Sequence, residues 1–154
     1  MQSPYTKSLM FKYLTVLVVS STMGLYVWRT LFDNFAVHIV HLDGGHIGVL
    51  QSIREVPGFL ALLVVYVLLL IREHRLSALS VLILGIGVTM TGLLPSFTGL
   101  IFTTLVMSFG FHYFETTNQS LTLQYFDKKT SPVVFGKLRS YASASNIGAS
   151  ILIL

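Results

Sequence analysis

Two apolar segments of the chain carry the same polar stripe, and that repetition restricts the possible folds more than any other feature. In the first segment Thr22, Tyr26, Arg29 and Asp33 fall at i, i+4, i+7 and i+11, one face of an α-helix. Ser108, His112, Glu115 and Gln119 repeat that face 86 residues later. The neighbours keep the same offset, because Gly24, Trp28 and Thr30 correspond to Gly110, Phe114 and Thr116. Polar and charged groups inside a lipid-compatible helix must face protein or water. Matching stripes on two such helices predict a duplicated bundle around a wet central path, the arrangement of a membrane transporter.

The rest of the sequence is compatible with lipid. Of 154 residues, 53% are hydrophobic and only 10% are charged, with a mean hydropathy of +0.76, whereas a soluble domain carries about 25% charge. The formal charge of +4 is spread singly along the chain. It forms none of the clustered basic faces that phosphate backbones require, so no nucleic-acid partner is expected. Cysteine is absent, which excludes disulfides and thiolate chemistry. Lys7 and Lys12 precede an apolar run as in a secretory leader, but the run continues through Val27 to Phe35 and is too long for one. It reads as a permanent first helix.

Five spans of roughly 20 apolar residues are predicted, at about 13–36, 47–71, 77–95, 99–125 and 133–154, giving an all-α polytopic membrane bundle. The connections are short: His41 to His46, with Asp43 and paired glycines; Arg72 to Arg75; Pro95 to Thr98; and Asp127 to Pro132. Consecutive spans should therefore be antiparallel. Lys7, Lys12, Arg72, Arg75, Lys128, Lys129 and Lys137 gather at the end of the amino terminus, and the opposite loops have no Lys or Arg. The positive-inside rule then puts the amino terminus in the cytoplasm, in a membrane of the bacterial inner type. Ile147 to Leu154 runs on in hydrophobic sequence with no polar flank, and a truncated reading frame is expected from it.

Over its whole length the chain resembles the amino-terminal part of a major facilitator superfamily transporter. The resemblance rests on the inside amino terminus, the Asp/Gly outer turn, Ile47-Gly48-Val49-Leu50-Gln51-Ser52-Ile53 opening the second span, the short basic inner loop, and a third span rich in small residues. It implies a protein of twice six helices built from inverted three-helix repeats, the first and fourth lining a solute cavity, and no cofactor. A weaker repeat links Arg54 with Arg139. The family's inner loop carries a Gly-x-x-x-Asp-Arg-x-Gly-Arg-Arg pattern. Here Leu68 to Leu76 keeps basic residues at Arg72 and Arg75, the expected inner-loop gate, without the Asp or the glycines. Where the fourth helix of the family often has an Arg, this chain has His112 and Glu115.

A charge at mid-membrane costs roughly 2.5–3.5 kcal/mol on insertion scales unless it is paired or hydrated. Depth along the spans predicts an outer cluster of Arg29, Asp33 and Arg54 and an inner pair of Glu115 and Arg139, while Glu55 points to another face with no evident partner. Arg54 and Arg139 are read as structural. Asp33 and Glu115 are read as proton-loading carboxylates, because desolvation raises a carboxyl pKa. Tyr26, Arg29, His112, Asn118, Gln119 and Asn146 complete the expected solute or proton path.

Gly85, Thr89 and Gly92 on span three, and Ala142, Ser145 and Ala149 on span five, are expected to form faces for close helix approach, and Pro57-Gly58 permits a bend. The expected activity is secondary, alternating-access transport of a small polar or anionic solute, with proton coupling. The expected partners are the solute, protons, the lipid bilayer and a carboxy-terminal half. No nucleotide-binding loop is present, so direct use of ATP is not expected. Two other readings are a small noncatalytic membrane protein that assembles with a partner subunit, and a membrane metalloenzyme using His38, His41, His46 and the His112-x-x-Glu115 pair. For the latter, His38 and His41 would share a helical face if span one extended that far.

Overall fold

A Ser-Pro pair starts the first helix well before the hydropathy does. In the computed structural model, which describes residues 3–153, α1 (Pro4–His38) begins where Ser3 Oγ accepts the Thr6 amide at 3.2 Å and Pro4 takes the first helical turn. Its 35 residues make a rod of about 52 Å at 1.5 Å per residue. That exceeds the roughly 30 Å of a hydrocarbon layer. The chain then reverses through His41, whose φ of 58° is left-handed. Asp43 caps α2 (Gly44–Leu60), its Oδ1 accepting the His46 amide at 2.9 Å.

Pro57 has no amide proton to give the helix, and past it the ladder tightens into a 3-10 turn at Ala61–Leu63 before α3 (Val64–Leu68) resumes. Then come α4 (Glu73–Thr91), α5 (Phe97–Tyr125), capped by Ser96 Oγ on the Gly99 amide at 3.1 Å, and α6 (Ser131–Ile153).

Every described element is helical. Four stretches are long and apolar enough to cross a membrane: α1, α2 with α3 as Gly44–Leu68, α4 and α5. The fifth expected span is present as α6, 23 residues long, but Lys137, Arg139, Asn146 and several serines keep it outside that apolar group. Its expected end, Leu154, lies outside the described residues.

The helices pack as two swapped pairs on a common support. α1 lies along α6, α2 lies along α5, and α4 packs most extensively on α5 and also touches α1. The 86-residue repeat turns α1 into α5 and α2 into α6, so the α1–α6 contact becomes the α5–α2 contact. Three short connections separate α1 from α5, so the two run in opposite directions, as an inverted repeat requires. Burial follows the same offset: Leu14 with Leu100, Val18 with Thr104, Ser21 with Met107 and Trp28 with Phe114 are all buried, and Arg29 with Glu115 and Asp33 with Gln119 are all exposed.

Both repeats bear on one residue of α4. A Cβ built on Gly24 would meet Leu84 Cδ2 at 3.3 Å, and one on Gly110 would meet Leu84 Cα at 2.8 Å, nearer still to Leu84 N and Ser80 O. Gly87 is pressed as closely on Met107, whose Cα would lie 2.7 Å from an added Cβ. The close-approach face of α4 is therefore Ser80, Leu84, Gly87 and Thr91, all buried. The expected face of Gly85, Thr89 and Gly92 is not the one used: Gly85 and Gly92 have no atom within 4 Å of an added Cβ, and Thr89 is exposed. On α6 the expectation holds for Ala142 and Ala149, both buried.

Several buried hydroxyls of α4 and α5 bond to their own helices, as Ser80 to Leu76 O at 2.7 Å and Thr122 to Asn118 O at 2.8 Å, whereas those of Ser77 and Thr104 are buried without a partner. Such bonds let polar side chains sit where no water reaches. The apolar core falls into two layers. Leu14, Phe114, Leu121 and Leu138 belong to the layer at the amino-terminal end, and Trp28, Phe32, Leu50, Leu100 and Met107 to the other.

Candidate functional site

Between the two apolar layers, the middle turns of α1, α2 and α5 leave a polar hollow. Leu25 and Arg29 come from α1, Arg54 and Glu55 from α2, and Met107, Ser108, Phe111 and His112 from α5, around a pocket of about 90 Å³. Leu25, Met107 and Phe111 supply apolar walls that lower the local dielectric. Ionic interactions at the polar side are correspondingly stronger than in water.

Each polar side chain is placed by packing. Ser108 is buried and donates its hydroxyl to the Arg54 carbonyl, tying α5 to α2. His112 lies against Gly58, where an added Cβ would come within 3.0 Å of the imidazole Cε1, so glycine at that position makes room for the ring. The residue related to His112 by the repeat, Tyr26, also reaches across to the swapped partner helix, where its hydroxyl and Ser150 Oγ are 2.6 Å apart.

The central ion pair is one that sequence spacing argued against. Arg54 Nη2 is 2.8 Å from Glu55 Oε1 and Nε is 3.0 Å from the same oxygen. Adjacent helical residues do not face each other, but the long arginine stem wraps round the helix to reach its neighbour. Glu55, left without a partner in the sequence reading, is thus the partner of Arg54, and Asp33 is not. The signal was present in the sequence as a carboxylate beside a cation in an apolar run. Side-chain reach, not helical face, decides the pairing. The Arg54 side chain keeps 23% of its surface and Glu55 55%.

The expected outer cluster is therefore half assembled. Arg29 and Arg54 line one pocket, whereas Asp33 stands exposed on the same helix as Arg29 with no ion pair among the described residues. The expected inner pair does not form: Glu115 and Arg139 are both exposed, and neither has an oppositely charged partner within 4.0 Å among the described residues. Gln119 is exposed beside Glu115. Asn118 and Asn146 each bury a side-chain oxygen that accepts no hydrogen bond. At the loop between α3 and α4, expected on the inner side, Arg72 and Arg75 are exposed. The residues that tether this loop are instead Glu73, whose carboxylate accepts from Gln124 Nε2, and His74, whose carbonyl accepts from the Tyr13 hydroxyl.

The outer histidines do not gather. α1 ends at His38 and His41 is left-handed, so the two do not share a helical face. His46 turns to Asp43, with Nδ1 2.8 Å from Oδ1, and its ring meets Phe97 edge-on. Among the described residues no three His, Asp or Glu side chains are placed to hold one metal ion.

Arg29, Asp33, Glu55, Glu115 and Gln119, with Arg54 half-buried beside them, give the bundle an exposed polar surface in the middle of helices whose other exposed faces carry Val16, Phe59, Leu62, Leu82 and Phe102. The chain matches no protein-family model, no curated protein and no solved structure.

Proposed function

We propose that this bundle is one half of a secondary transporter of the major facilitator type, carrying a small anionic solute along a watery path between it and a second helical bundle. The observation that carries the reading is the pocket of Arg29, Arg54, Glu55, Ser108 and His112 at mid-helix on α1, α2 and α5. Two guanidinium groups share it with one carboxylate, an excess of positive charge suited to a carboxylate or phosphate group. The swapped pairing of α1–α6 and α5–α2 supports the inverted-repeat architecture in which such pathways occur. The exposed charges would be costly against lipid, and a facing bundle and water would hydrate them.

In this mechanism the solute's anionic group displaces Glu55 from Arg54. The freed carboxylate takes a proton and travels neutral, and on the other side the solute leaves, the proton is lost and the Arg54–Glu55 pair re-forms. The basic residues at the amino-terminal end of the bundle support a cytoplasmic amino terminus.

The test uses the native full-length protein in liposomes with a trapped pH dye, challenged singly with phosphate, lactate, succinate, citrate and glutamate. At least one anion should drive proton movement, Arg54→Gln should abolish it, and Glu55→Gln should leave exchange of the radiolabelled anion while removing the pH change. Glu115→Gln, tested alongside, should alter the pH dependence if the repeated stripe forms part of the path. No movement of any anion by the wild-type protein, or undiminished movement in Arg54→Gln, would overturn the reading.

A further inference from the structure

A second hollow lies at the basic end of the bundle, far along α1 from the polar pocket. It has a volume of about 400 Å³ and runs between the first turns of α1 and the first turns of α6. Phe11, Phe126 and Val134 form its apolar floor, and Lys7 and Lys137 stand at its edge. Phe126 and Val134 belong to the buried core, so the floor is held rigidly by the packing of α1, α5 and α6.

The charge at the edge is cancelled only in part. Asp127 Oδ2 pairs with Lys7 at 3.5 Å, while its Oδ1 accepts from the Thr130 hydroxyl at 2.8 Å and from the Thr130 and Lys129 amides at 2.9 and 3.1 Å. Those bonds, that of the Thr130 hydroxyl first, hold its pKa below the ordinary carboxylate value. Lys137 is exposed and has no carboxylate within 4.0 Å among the described residues. Lys12, Lys128 and Lys129 add positive charge to the same end.

The depth is that of an interface. α1 is about 15 residues longer than the roughly 20 needed to cross the hydrocarbon, and Lys7 to Phe11 belong to that excess. A cleft at this level with an apolar floor and a cationic edge matches one molecule that is always present there: a phospholipid whose headgroup bears a net negative charge. Its phosphodiester would meet Lys7 and Lys137, and the start of an acyl chain would lie on Phe11, Phe126 and Val134. A free phosphate would use the edge and leave the apolar floor uncovered.

We infer that the cleft between α1 and α6 is a binding site for an anionic phospholipid, with Lys137 as its principal headgroup contact. This inference does not depend on the transport reading. The test measures thermal unfolding of the full chain in a neutral maltoside detergent, on adding dioleoyl phosphatidylglycerol or dioleoyl phosphatidylcholine. Phosphatidylglycerol should raise the midpoint more than phosphatidylcholine does, and titration should show Lys137→Gln weakening that effect about fivefold, the weight of one lysine near an anionic surface.

Lys7→Gln combined with Lys137→Gln should remove the preference. Lys137 makes no ion pair among the described residues, so the single variant tests the site without a burden on folding. The double variant Lys128→Gln/Lys129→Gln, outside the cleft, should keep most of the preference. An undiminished preference in Lys137→Gln, an equal loss in the Lys128/Lys129 variant, or the same stabilisation by inorganic phosphate alone would overturn the inference.

Discussion

Replacing Gly110 by alanine adds one methyl group at one of the two tightest contacts of α4 with α5, and its cost can be worked from the surrounding atoms. The new Cβ would lie 2.8 Å from Leu84 Cα and closer still to two backbone atoms of α4, whereas ordinary contact begins at 3.4 Å. None of these atoms belongs to a flexible side-chain end, so α4 and α5 must separate by more than half an ångström. A gap of 0.5–1 Å forfeits roughly a quarter to a half of the dispersion energy across the opened contacts, and overpacking of a filled core costs about 1–3 kcal/mol. The opposing term is the helix propensity of alanine, about 1 kcal/mol over glycine.

Overpacking wins, because α4–α5 is the most extensive interface in the molecule and Leu84 also supports Gly24 on α1. Gly110→Ala should lose up to about 2 kcal/mol net. Gly85→Ala is the control: it lies on the same α4, with no atom within 4 Å of the added carbon, so only the propensity gain remains. The assay is reversible unfolding in mixed micelles followed by the emission of Trp28, the one tryptophan, which is buried and stacked on Phe32 at 4.2 Å between ring centroids. Equal stability of the two variants would refute the packing argument.

Three further outcomes are expected. Thr91→Val deprives the buried Trp28 Nε1–H of its acceptor at 3.2 Å; an orphaned donor costs about 1–3 kcal/mol, membrane interhelical bonds average about 0.6, and a loss near 1 kcal/mol with a shifted emission maximum is expected, while no change in either would show the bond to be idle. Asp127 has its pKa lowered by the fold, so its contribution is present above the ordinary value of 3.8 and is lost as pH falls through the lowered one. The gap in melting midpoint between wild type and Thr130→Val should therefore hold from pH 7 to about 4 and close below it, and a gap independent of pH would rule out the Thr130 bond as its source. Gly58→Ala should push the His112 ring from its place against α2, and an unaltered His112 resonance in a solid-state NMR spectrum of labelled protein would contradict that placement.

How much of this was legible in the sequence depends on which physical quantity decided each feature. The repeat was legible, because lipid penalises every polar residue and leaves a sparse pattern whose offset survives in the buried and exposed pairs. The helices were legible as apolar runs, but the start of α1 was not: Ser3 and Pro4 set it through capping, outside the hydrophobic stretch. The packing face of α4 was missed because a helix apolar on all sides has no periodicity to read, and Gly85 and Gly87 look alike until α5 is placed. The Arg54–Glu55 bond depended on side-chain length, and the separation of Glu115 from Arg139 on how the helices lie, neither of which hydropathy encodes.

The interruption between α2 and α3 divides that span mechanically. Arg54 and Glu55 lie before Pro57 and are fastened to α5 through the Ser108 hydroxyl, while Val64–Leu68 follows the 3-10 turn and continues toward the basic loop. From Leu60 to Leu68 is about 12 Å of helix at 1.5 Å per residue. A tilt of about 10° at the joint would then move the far end of α3 sideways by about 2 Å, so a small angular change just past the ion pair is enlarged at the end nearest the basic loop.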